Sequence, residues 1–131
     1  MAISVTSAVV QGVLAEARAA GVRECCGLLF GDDAAITGFR PATNVHHAPE
    51  TRFEIDPQAL IDAHRDMRGG GPRLVGYYHS HPHGPASPSA TDIALAAGDG
   101  MIWAIAAAGR LALWRAGDDG MTALPYALAP A

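Results

Sequence analysis

The chain has 131 residues, of which 50% are hydrophobic and 17% are charged, and its formal net charge is −4. This length and composition predict a single globular domain over residues 1–131 and exclude a disordered chain. All nine basic residues are arginines, and because they form no cluster that could neutralise phosphates, we expect no nucleic acid partner.

The N-terminal part of the chain predicts a helix followed by a hairpin. Apolar residues at helical spacing indicate an amphipathic helix over residues 7–20, and Gly21 ends it. A short apolar run predicts a buried strand over residues 25–30, with residues 34–40 as its hairpin partner. The sequence shows no signal peptide and no apolar run near the roughly 18 residues of a membrane span, so we expect a cytoplasmic protein without a membrane segment.

The predicted hairpin contains both cysteines of the chain, Cys25 and Cys26. A disulfide between neighbouring residues is strained, so we expect two reduced thiols, as in a reducing compartment. They are not expected to bind zinc, because no second cysteine pair completes a site.

The middle of the chain predicts a second helix and a strand that leads into a histidine-rich segment. Residues 53–55 form a short predicted strand, after which Asp56 is the N-cap of a helix with Pro57 at its first position. This helix runs to about residue 68 and ends at a run of three glycines. The next strand is predicted over residues 74–78.

The C-terminal part predicts a loop, a third helix and three strands. Residues 82–88 form a proline-rich loop, and Ser89 begins a helix that ends near Gly98. The strands are predicted over residues 101–107, 111–116 and 122–128. Because hairpins and helical crossovers both connect the strands, we expect an α/β domain with a mixed, curved β-sheet flanked by helices.

Two histidines follow the strand predicted over residues 74–78. Side chains at i and i+2 share one face of an extended segment, so the imidazoles of His79 and His81 could reach one ion. Asp92 is the candidate third ligand, since the proline-rich loop can return the next helix to the end of the strand. Neutral imidazoles and a carboxylate are ligands of catalytic Zn²⁺, which keeps a fourth position open for water.

The Ser-x-x-Asp segment has an alternative explanation. Ser89 at the N-cap with Asp92 three residues later resembles a capping box, and an acid suits a helix N-terminus. Both interpretations hold together if Ser89 caps the helix while Asp92 turns inward. Other zinc enzymes need motifs that this sequence lacks, such as the His-Glu-x-x-His of the zincins and the Cys-x-x-Cys of the zinc deaminases.

Taken together, His-Ser-His-Pro at 79–82 and Ser-Ala-Thr-Asp at 89–92 resemble the JAMM motif of the MPN-domain metalloproteases, peptidase family M67. The segment at 24–31, Glu-Cys-Cys-Gly-Leu-Leu-Phe-Gly, is similar to the strand that carries the glutamate of that family. The resemblance covers nearly the whole chain and is strongest to the small prokaryotic members. It implies a single MPN domain, a cytidine-deaminase-like α/β fold.

The resemblance also implies a role for each residue of the motif. His79, His81 and Asp92 would ligate Zn²⁺. Glu24 would be the general base that activates the attacking water and then passes a proton to the leaving amine, and Ser89 would help to stabilise the oxyanion. General chemistry supports these roles, because zinc lowers the pKa of water to about 7 and a neighbouring carboxylate can shuttle the proton.

The activity implied by this resemblance is that of a zinc metallopeptidase or isopeptidase. The expected substrate is an amide bond after the C-terminal Gly-Gly tail of a ubiquitin-like or sulfur-carrier protein. Insertions found in the ubiquitin-specific eukaryotic relatives are missing, which argues against ubiquitin chains. Two alternatives stay open, a catalytically inactive MPN scaffold for protein interaction and an amide hydrolase for small-molecule or amino-acid adducts. The oligomeric state is also open, with a homodimer among the alternatives.

Overall fold

The computed structural model describes residues 3–96 and 98–130 of the chain, and within them it contains eight strands and three helices. The strands are β1 (Ile3–Thr6), β2 (Cys26–Gly31), β3 (Ala35–Ala42), β4 (Leu74–Ser80), β5 (Ile102–Ala107), β6 (Arg110–Gly117), β7 (Gly120–Leu124) and β8 (Tyr126–Ala129). The helices are α1 (Ser7–Ala20), α2 (Pro57–Arg68) and α3 (Ala90–Ala96).

All eight strands form one sheet in the order β7-β6-β5-β4-β2-β3-β1-β8. Strand β4 lies in its middle, antiparallel to β2 and parallel to β5. The edge strands β7 and β8 are separated in sequence only by Pro125. Since each residue extends a chain by at most about 3.6 Å, Leu124 and Tyr126 lie within about 7 Å of each other. The sheet therefore curls until its two edges approach, and the predicted mixed, curved sheet is confirmed.

Helix α1 covers one face of this sheet. Its buried residues Val9 and Val13 pack in a cluster that includes Leu29 of β2 and Tyr78 of β4. Complete burial of an aliphatic or aromatic side chain contributes about 1.5–3 kcal/mol, so these contacts hold α1 against the two central strands.

Helices α2 and α3 cover the opposite face. Ala63 of α2 packs in one buried cluster, and Ala96 of α3 packs in another that contains Phe53 and Trp103. The prediction of helices flanking the sheet is therefore confirmed. None of the helices within residues 3–96 and 98–130 is long and apolar enough to cross a membrane.

The ends of α1 and α2 follow their sequence signals, and both predicted helices are confirmed. Thr6 Oγ1 accepts a hydrogen bond from the N–H of Val9 over 3.3 Å, and Gly21, with φ at +63°, ends α1. Asp56 Oδ1 accepts from the N–H of Gln58 over 3.0 Å at the start of α2. Each of these contacts is local, which is why the sequence alone indicates it.

The strand predictions need three corrections. Residues 53–55 form no strand, because Ile55 makes only an isolated antiparallel bridge with Asn44. The strand predicted over residues 122–128 is two strands, since Pro125 has no N–H with which to continue a ladder. β7 pairs with β6, whereas β8 pairs with β1. β1 is also missing from the predicted strands, since Ile3-Ser4-Val5-Thr6 alternates apolar and polar residues as a half-buried strand does, but over only four residues.

Gly27 of β2 provides a test of the packing beside the centre of the sheet. A Cβ added at this position would lie 2.3–2.4 Å from the ring of Tyr78, which is completely buried. We therefore expect Gly27→Ala to lower the free energy of unfolding by about 1–3 kcal/mol in urea denaturation, through overpacking. Gly38→Ala in β3 is the matched control, since its nearest atom would be at an ordinary 3.8 Å. Equal stability of the two variants would contradict this account.

Candidate metal centre

The end of β4 places two imidazoles side by side. His79 is paired in register with Cys26 of β2 and with Ile105 of β5, so the sheet holds its backbone on both sides. His81 lies just beyond the strand, and its N–H donates to the carbonyl of Ala106 over 2.9 Å, which keeps the backbone extended. The Nε2 atoms of His79 and His81 are 3.0 Å apart, as expected for residues i and i+2 on one face.

Asp92 joins these histidines from the first turn of α3. Its Oδ2 atom lies 3.2 Å from His79 Nε2 and 3.0 Å from His81 Nε2. The N–H of Ser89 donates to the same Oδ2 atom over 2.9 Å, and the N–H of Asp92 donates to Ser89 Oγ over 3.1 Å. This reciprocal pair is a capping box, and the capping carboxylate also faces the histidines. The capping interpretation of the Ser-x-x-Asp segment is therefore confirmed, and it is compatible with Asp92 as a metal ligand.

Different contacts orient the two imidazoles. His81 Nδ1 lies 2.8 Å from the carbonyl oxygen of Pro85, and because a carbonyl only accepts, Nδ1 carries the hydrogen. The Nε2 atom of the neutral His81 ring thus presents its lone pair to the cluster. His79 is completely buried, its Nδ1 atom has no hydrogen-bond partner among the described residues, and its ring stacks on Phe53 at 4.3 Å between centroids. Burial and stacking fix His79, whereas a hydrogen bond fixes His81.

The three donor atoms suit a divalent cation such as Zn²⁺. His79, His81 and Asp92 form a triangle with sides of 3.0, 3.0 and 3.2 Å. A tetrahedral zinc ion with bonds of about 2.0–2.1 Å would separate its ligands by about 3.3 Å. In a buried site, lone pairs directed at one another are unfavourable unless a cation or a proton lies between them. The spacing and the chemistry of this group therefore fit a metal ion.

Burial and mutual contacts also set the protonation of the cluster. Burial lowers the pKa of His79. Burial opposes the charge of His81 as well, but the hydrogen bonds to Asp92 and Pro85 and the charge of Asp92 together raise the pKa of His81. Burial alone would raise the pKa of Asp92, but its hydrogen bonds to the two histidines hold that pKa well below its usual range. The carboxylate is thus ionised and His79 neutral near pH 7, which are the forms that bind metals.

A pair of hydrogen bonds brings Glu24 to the cluster. The N–H of Ser80 donates to the carbonyl of Cys25 over 3.1 Å, and the N–H of Cys25 donates to Ser80 Oγ over 2.9 Å. These bonds tie the start of β2 to the end of β4. Glu24, one residue earlier, consequently lines the same cleft as His81 and Ser89.

The side chain of Glu24 is 8% exposed within this cleft. Burial raises the pKa of Glu24 to about 7, although the charge of His81 opposes the rise. A carboxyl group with such a pKa can both accept and release a proton near neutral pH. The cleft has a volume of about 310 Å³, and residues of the loop 82–88 form much of its wall.

Ser89 is exposed at this cleft. Because its Oγ accepts from the backbone of Asp92, the hydroxyl hydrogen is left for another acceptor. Of the other histidines, His83 also lines the cleft. His46 and His47 stack on each other at 4.5 Å between ring centroids, outside the three-residue cluster.

An apolar groove adjoins the cluster through Phe53, the residue whose ring stacks on His79. Its volume is about 560 Å³, and its apolar lining includes Leu60 of α2, Leu95 of α3, Tyr77 of β4 and Trp103 of β5. At the edge of this groove, Arg52 Nη1 lies 3.4 Å from Thr91 Oγ1. The cluster therefore has two depressions as neighbours, the cleft that contains Glu24 and the apolar groove.

The two cysteines point to opposite faces, as expected for neighbouring strand residues. Cys25 packs with the cluster under α1, and Cys26 packs with Phe53 and Trp103. Both are free thiols, in agreement with the sequence prediction. Burial raises the pKa of Cys26 to about 12, so its thiol is a poor nucleophile at neutral pH.

Sequence reasoning did not identify the residues that support the ligands. Pro85 contacts His81 through its backbone carbonyl, and because every residue has such a carbonyl, the residue type does not predict the contact. The high proline content of the loop is the only feature of the sequence that draws attention to it. The sequence predicts Phe53 only as part of a short strand, because its stacking on His79 depends on tertiary packing. Trp114 Nε1 donates to the carbonyl of Ala86 over 3.1 Å, a contact between residues far apart in sequence.

Comparison with known proteins gives matches over most of the chain. A family model described as prokaryotic homologs of the JAB domain matches residues 6–117. The desampylase of Haloferax volcanii is 37% identical over 84 residues, which are 63% of this chain and 60% of that protein. The probable TtuB-protein conjugate cleaving protease of Thermus thermophilus is 40% identical over 87 residues, 63% of this chain and 58% of that protein.

A third curated relative is the CysO-cysteine peptidase of Mycobacterium tuberculosis, 34% identical over 89 residues, which are 66% of this chain and 60% of that protein. The chain spans about three fifths of the length of these curated relatives. Two solved structures match over nearly the full chain. A protein from Desulfitobacterium hafniense has a TM-score of 0.84 and 30% identity, covering 98% of this chain and 94% of its own.

The second structure is a JAB1/MPN domain protein from Archaeoglobus fulgidus. Its TM-score is 0.66 at 16% identity, and the match covers 98% of both chains. At this identity the likeness concerns the fold alone. The MPN fold expected from the motif is thereby confirmed.

The raised pKa of Glu24 predicts a pH-dependent stability. Because the pKa is about 7 in the folded protein and 4.5 when unperturbed, the folded state holds more protons between these values, and its stability falls as pH rises through them. In the presence of a chelator, Glu24→Gln should therefore be more stable than the wild type at pH 8, by about 1–3 kcal/mol, and similar to it at pH 4. Urea denaturation at both pH values measures this difference.

The matched control is Glu50→Gln, because Glu50 is an exposed acid that lines the same cleft. We expect this variant to show the same small difference from the wild type at both pH values. A Glu24→Gln variant whose stability relative to the wild type did not change with pH would show that burial does not penalise the Glu24 carboxylate.

Proposed function

The chain belongs to the family of prokaryotic homologs of the JAB domain, and on this basis we propose that residues 1–131 form a zinc metallopeptidase or isopeptidase domain. The proposed reaction is hydrolysis of the amide bond after the C-terminal Gly-Gly tail of a ubiquitin-like or sulfur-carrier protein. The observation that carries the proposal is the convergence of the His79, His81 and Asp92 donor atoms beside the cleft that contains Glu24.

His79, His81 and Asp92 are the proposed ligands of Zn²⁺. When bound, the ion would polarise the scissile carbonyl and lower the pKa of water to about 7. The buried His79 ring, the His81 bond to Pro85 and the capping bonds of Asp92 hold the donors in place without the ion. Little rearrangement of side chains would accompany metal binding, which favours affinity.

We assign the proton transfers to Glu24. It would accept a proton from the attacking water and deliver it to the amine that leaves, so it must be ionised in one step and protonated in the next. A pKa of about 7 suits both steps near neutral pH. The N–H of Glu24 donates to the carbonyl of Pro49 over 2.7 Å, which limits movement of its backbone.

Ser89 is the proposed donor to the oxyanion. Its hydroxyl is exposed at the cleft, and its hydrogen is not needed by the capping interaction with Asp92. A donor aimed at the developing charge contributes about 3 kcal/mol in comparable reactions. The capping box would fix the position of this hydroxyl, because Ser89 is bonded to Asp92 in both directions.

The two depressions beside the cluster support a substrate with an extended segment at the scissile bond. Phe53 of the apolar groove stacks on His79, and His81 lines the cleft, so a chain that occupied both depressions would pass beside the proposed ligands. Small residues such as the two glycines of a carrier tail would fit there. The relatives are named as a desampylase, a TtuB-protein conjugate cleaving protease and a CysO-cysteine peptidase, and we extend conjugate cleavage to this chain.

A second candidate function is hydrolysis of an amino-acid adduct of a carrier protein. The relative named CysO-cysteine peptidase favours it, and a cleft of about 310 Å³ is large enough for one amino acid. The inactive scaffold is disfavoured, because a complete set of ligands and an acid with a raised pKa are present.

We expect the purified protein to bind about one zinc ion per chain and to release a carrier from Gly-Gly conjugates. Three substrates that share one carrier distinguish the candidate functions, namely a peptide fusion, a lysine isopeptide conjugate and a cysteine adduct. A carrier whose tail ends in Val-Val instead of Gly-Gly is the control. Mass spectrometry measures the products, and removal of metal by a chelator should abolish release. Absence of both metal binding and cleavage would contradict the proposal and support the scaffold.

The roles of the acids are tested by separate variants. Glu24→Gln should retain zinc and lose about 10²–10⁴-fold in turnover, because the proton shuttle is missing. Asp92→Asn should lose zinc affinity, since a carboxylate ligand becomes a weaker amide. Glu50→Gln, on the same cleft, should keep the wild-type rate. Wild-type turnover by Glu24→Gln would refute the role of Glu24 even if zinc were bound.

A further inference from the structure

We infer that Trp114 of β6 is a positioning residue for His81 and acts through the loop 82–88. The inference rests on the metal centre of the proposed function. Trp114 belongs neither to the ligand set nor to the motif at the end of β4. Its indole N–H donates to the carbonyl of Ala86 over 3.1 Å, and the preceding carbonyl, that of Pro85, accepts from His81 Nδ1 over 2.8 Å.

The loop 82–88 has few backbone N–H groups of its own, so these two hydrogen bonds matter for its position. Residues 82–88 include three prolines, which have no N–H to donate. From side chains among the described residues, the loop backbone accepts two hydrogen bonds, one from His81 and one from Trp114. His81 is a candidate metal ligand, whereas Trp114 lies outside the ligand set.

The two carbonyls are coupled because Pro85 and Ala86 are neighbours. The ring of Pro85 fixes its φ angle, and the bond from Trp114 fixes the carbonyl of the next residue, which leaves the Pro85 carbonyl little freedom to turn. That carbonyl holds His81 Nδ1 and thereby aims Nε2 at the cluster. A partner of this kind on a metal-ligating histidine typically changes metal affinity 10–100-fold when it is removed.

Trp114 is itself held firmly enough to transmit this restraint. Its backbone pairs in register with Trp103 of β5 and Ala123 of β7. Its ring packs against a buried cluster that contains Phe53 and Trp103, and both of these residues contact the His79 ring. The sheet that positions His79 therefore also positions the donor that restrains the loop behind His81.

The test is Trp114→Phe, which keeps an aromatic ring and removes the N–H. We expect zinc affinity, measured by competition with a chelator, to fall about 10-fold, and the visible spectrum of the cobalt-substituted protein to change as His81 is displaced. The matched control is Tyr126→Phe, which removes another side-chain donor to a backbone carbonyl, the 2.6 Å bond to Leu111, elsewhere in the sheet. This control should keep the wild-type zinc affinity and cobalt spectrum.

A second variant keeps the inference testable if Trp114→Phe folds poorly. Incorporation of 3-benzothienylalanine at position 114 replaces the N–H by sulfur in a ring of nearly the same size, and it should weaken zinc binding as Trp114→Phe does. If the wild type binds zinc and both position-114 variants match its affinity, the inference is wrong while the proposed function stands. An equal loss of zinc affinity in Tyr126→Phe would show that general destabilisation causes the effect, and this result would also overturn the inference. A wild type that binds no zinc would refute the metal centre itself.

Discussion

The two hydrogen bonds between Ser80 and Cys25 are the contact on which the rest of the candidate site depends. They join the end of β4 to the start of β2, so the histidines at the end of one strand meet the glutamate that precedes the other. The side chain of Ser80 is 3% exposed, which makes these bonds hard for water to replace. Ser80, the residue between His79 and His81, thus has a structural role that is separate from the proposed chemistry of the two histidines.

In this site, the same atoms stabilise the fold and take part in the candidate metal centre. Asp92 Oδ2 caps α3 through the N–H of Ser89 and at the same time faces both imidazoles. Burial of a carboxylate is unfavourable unless it is well bonded, and the cap supplies one of the bonds that a metal-free cluster needs. Among the described residues the Glu24 carboxylate has no comparable hydrogen bonds, and burial raises its pKa to the range that a proton shuttle requires.

Local parts of this fold could be predicted from the sequence, whereas the non-local parts could not. Gly21 and Asp56 act on their own helices, and the shared face of His79 and His81 follows from the two-residue period of a strand. The position of Glu24 depends on pairing between strands that lie far apart in sequence, so the motif resemblance singled it out and spacing did not. Pro125 is a local signal for the break between β7 and β8, whereas their different partners are chosen by tertiary packing.

The pairing of β1 with β8 has a consequence for how the chain folds. Residues from opposite ends of the described chain, Ile3 and Tyr126 among them, are partners in one parallel ladder, and contacts of such long sequence separation form slowly. Strands β2, β3 and β4 are complete long before residues 126–129 leave the ribosome. The Ser80–Cys25 contact can therefore form during synthesis. We expect the pairing of β1 with β8 to close the curled sheet afterwards, when the residues of the site are already close to one another.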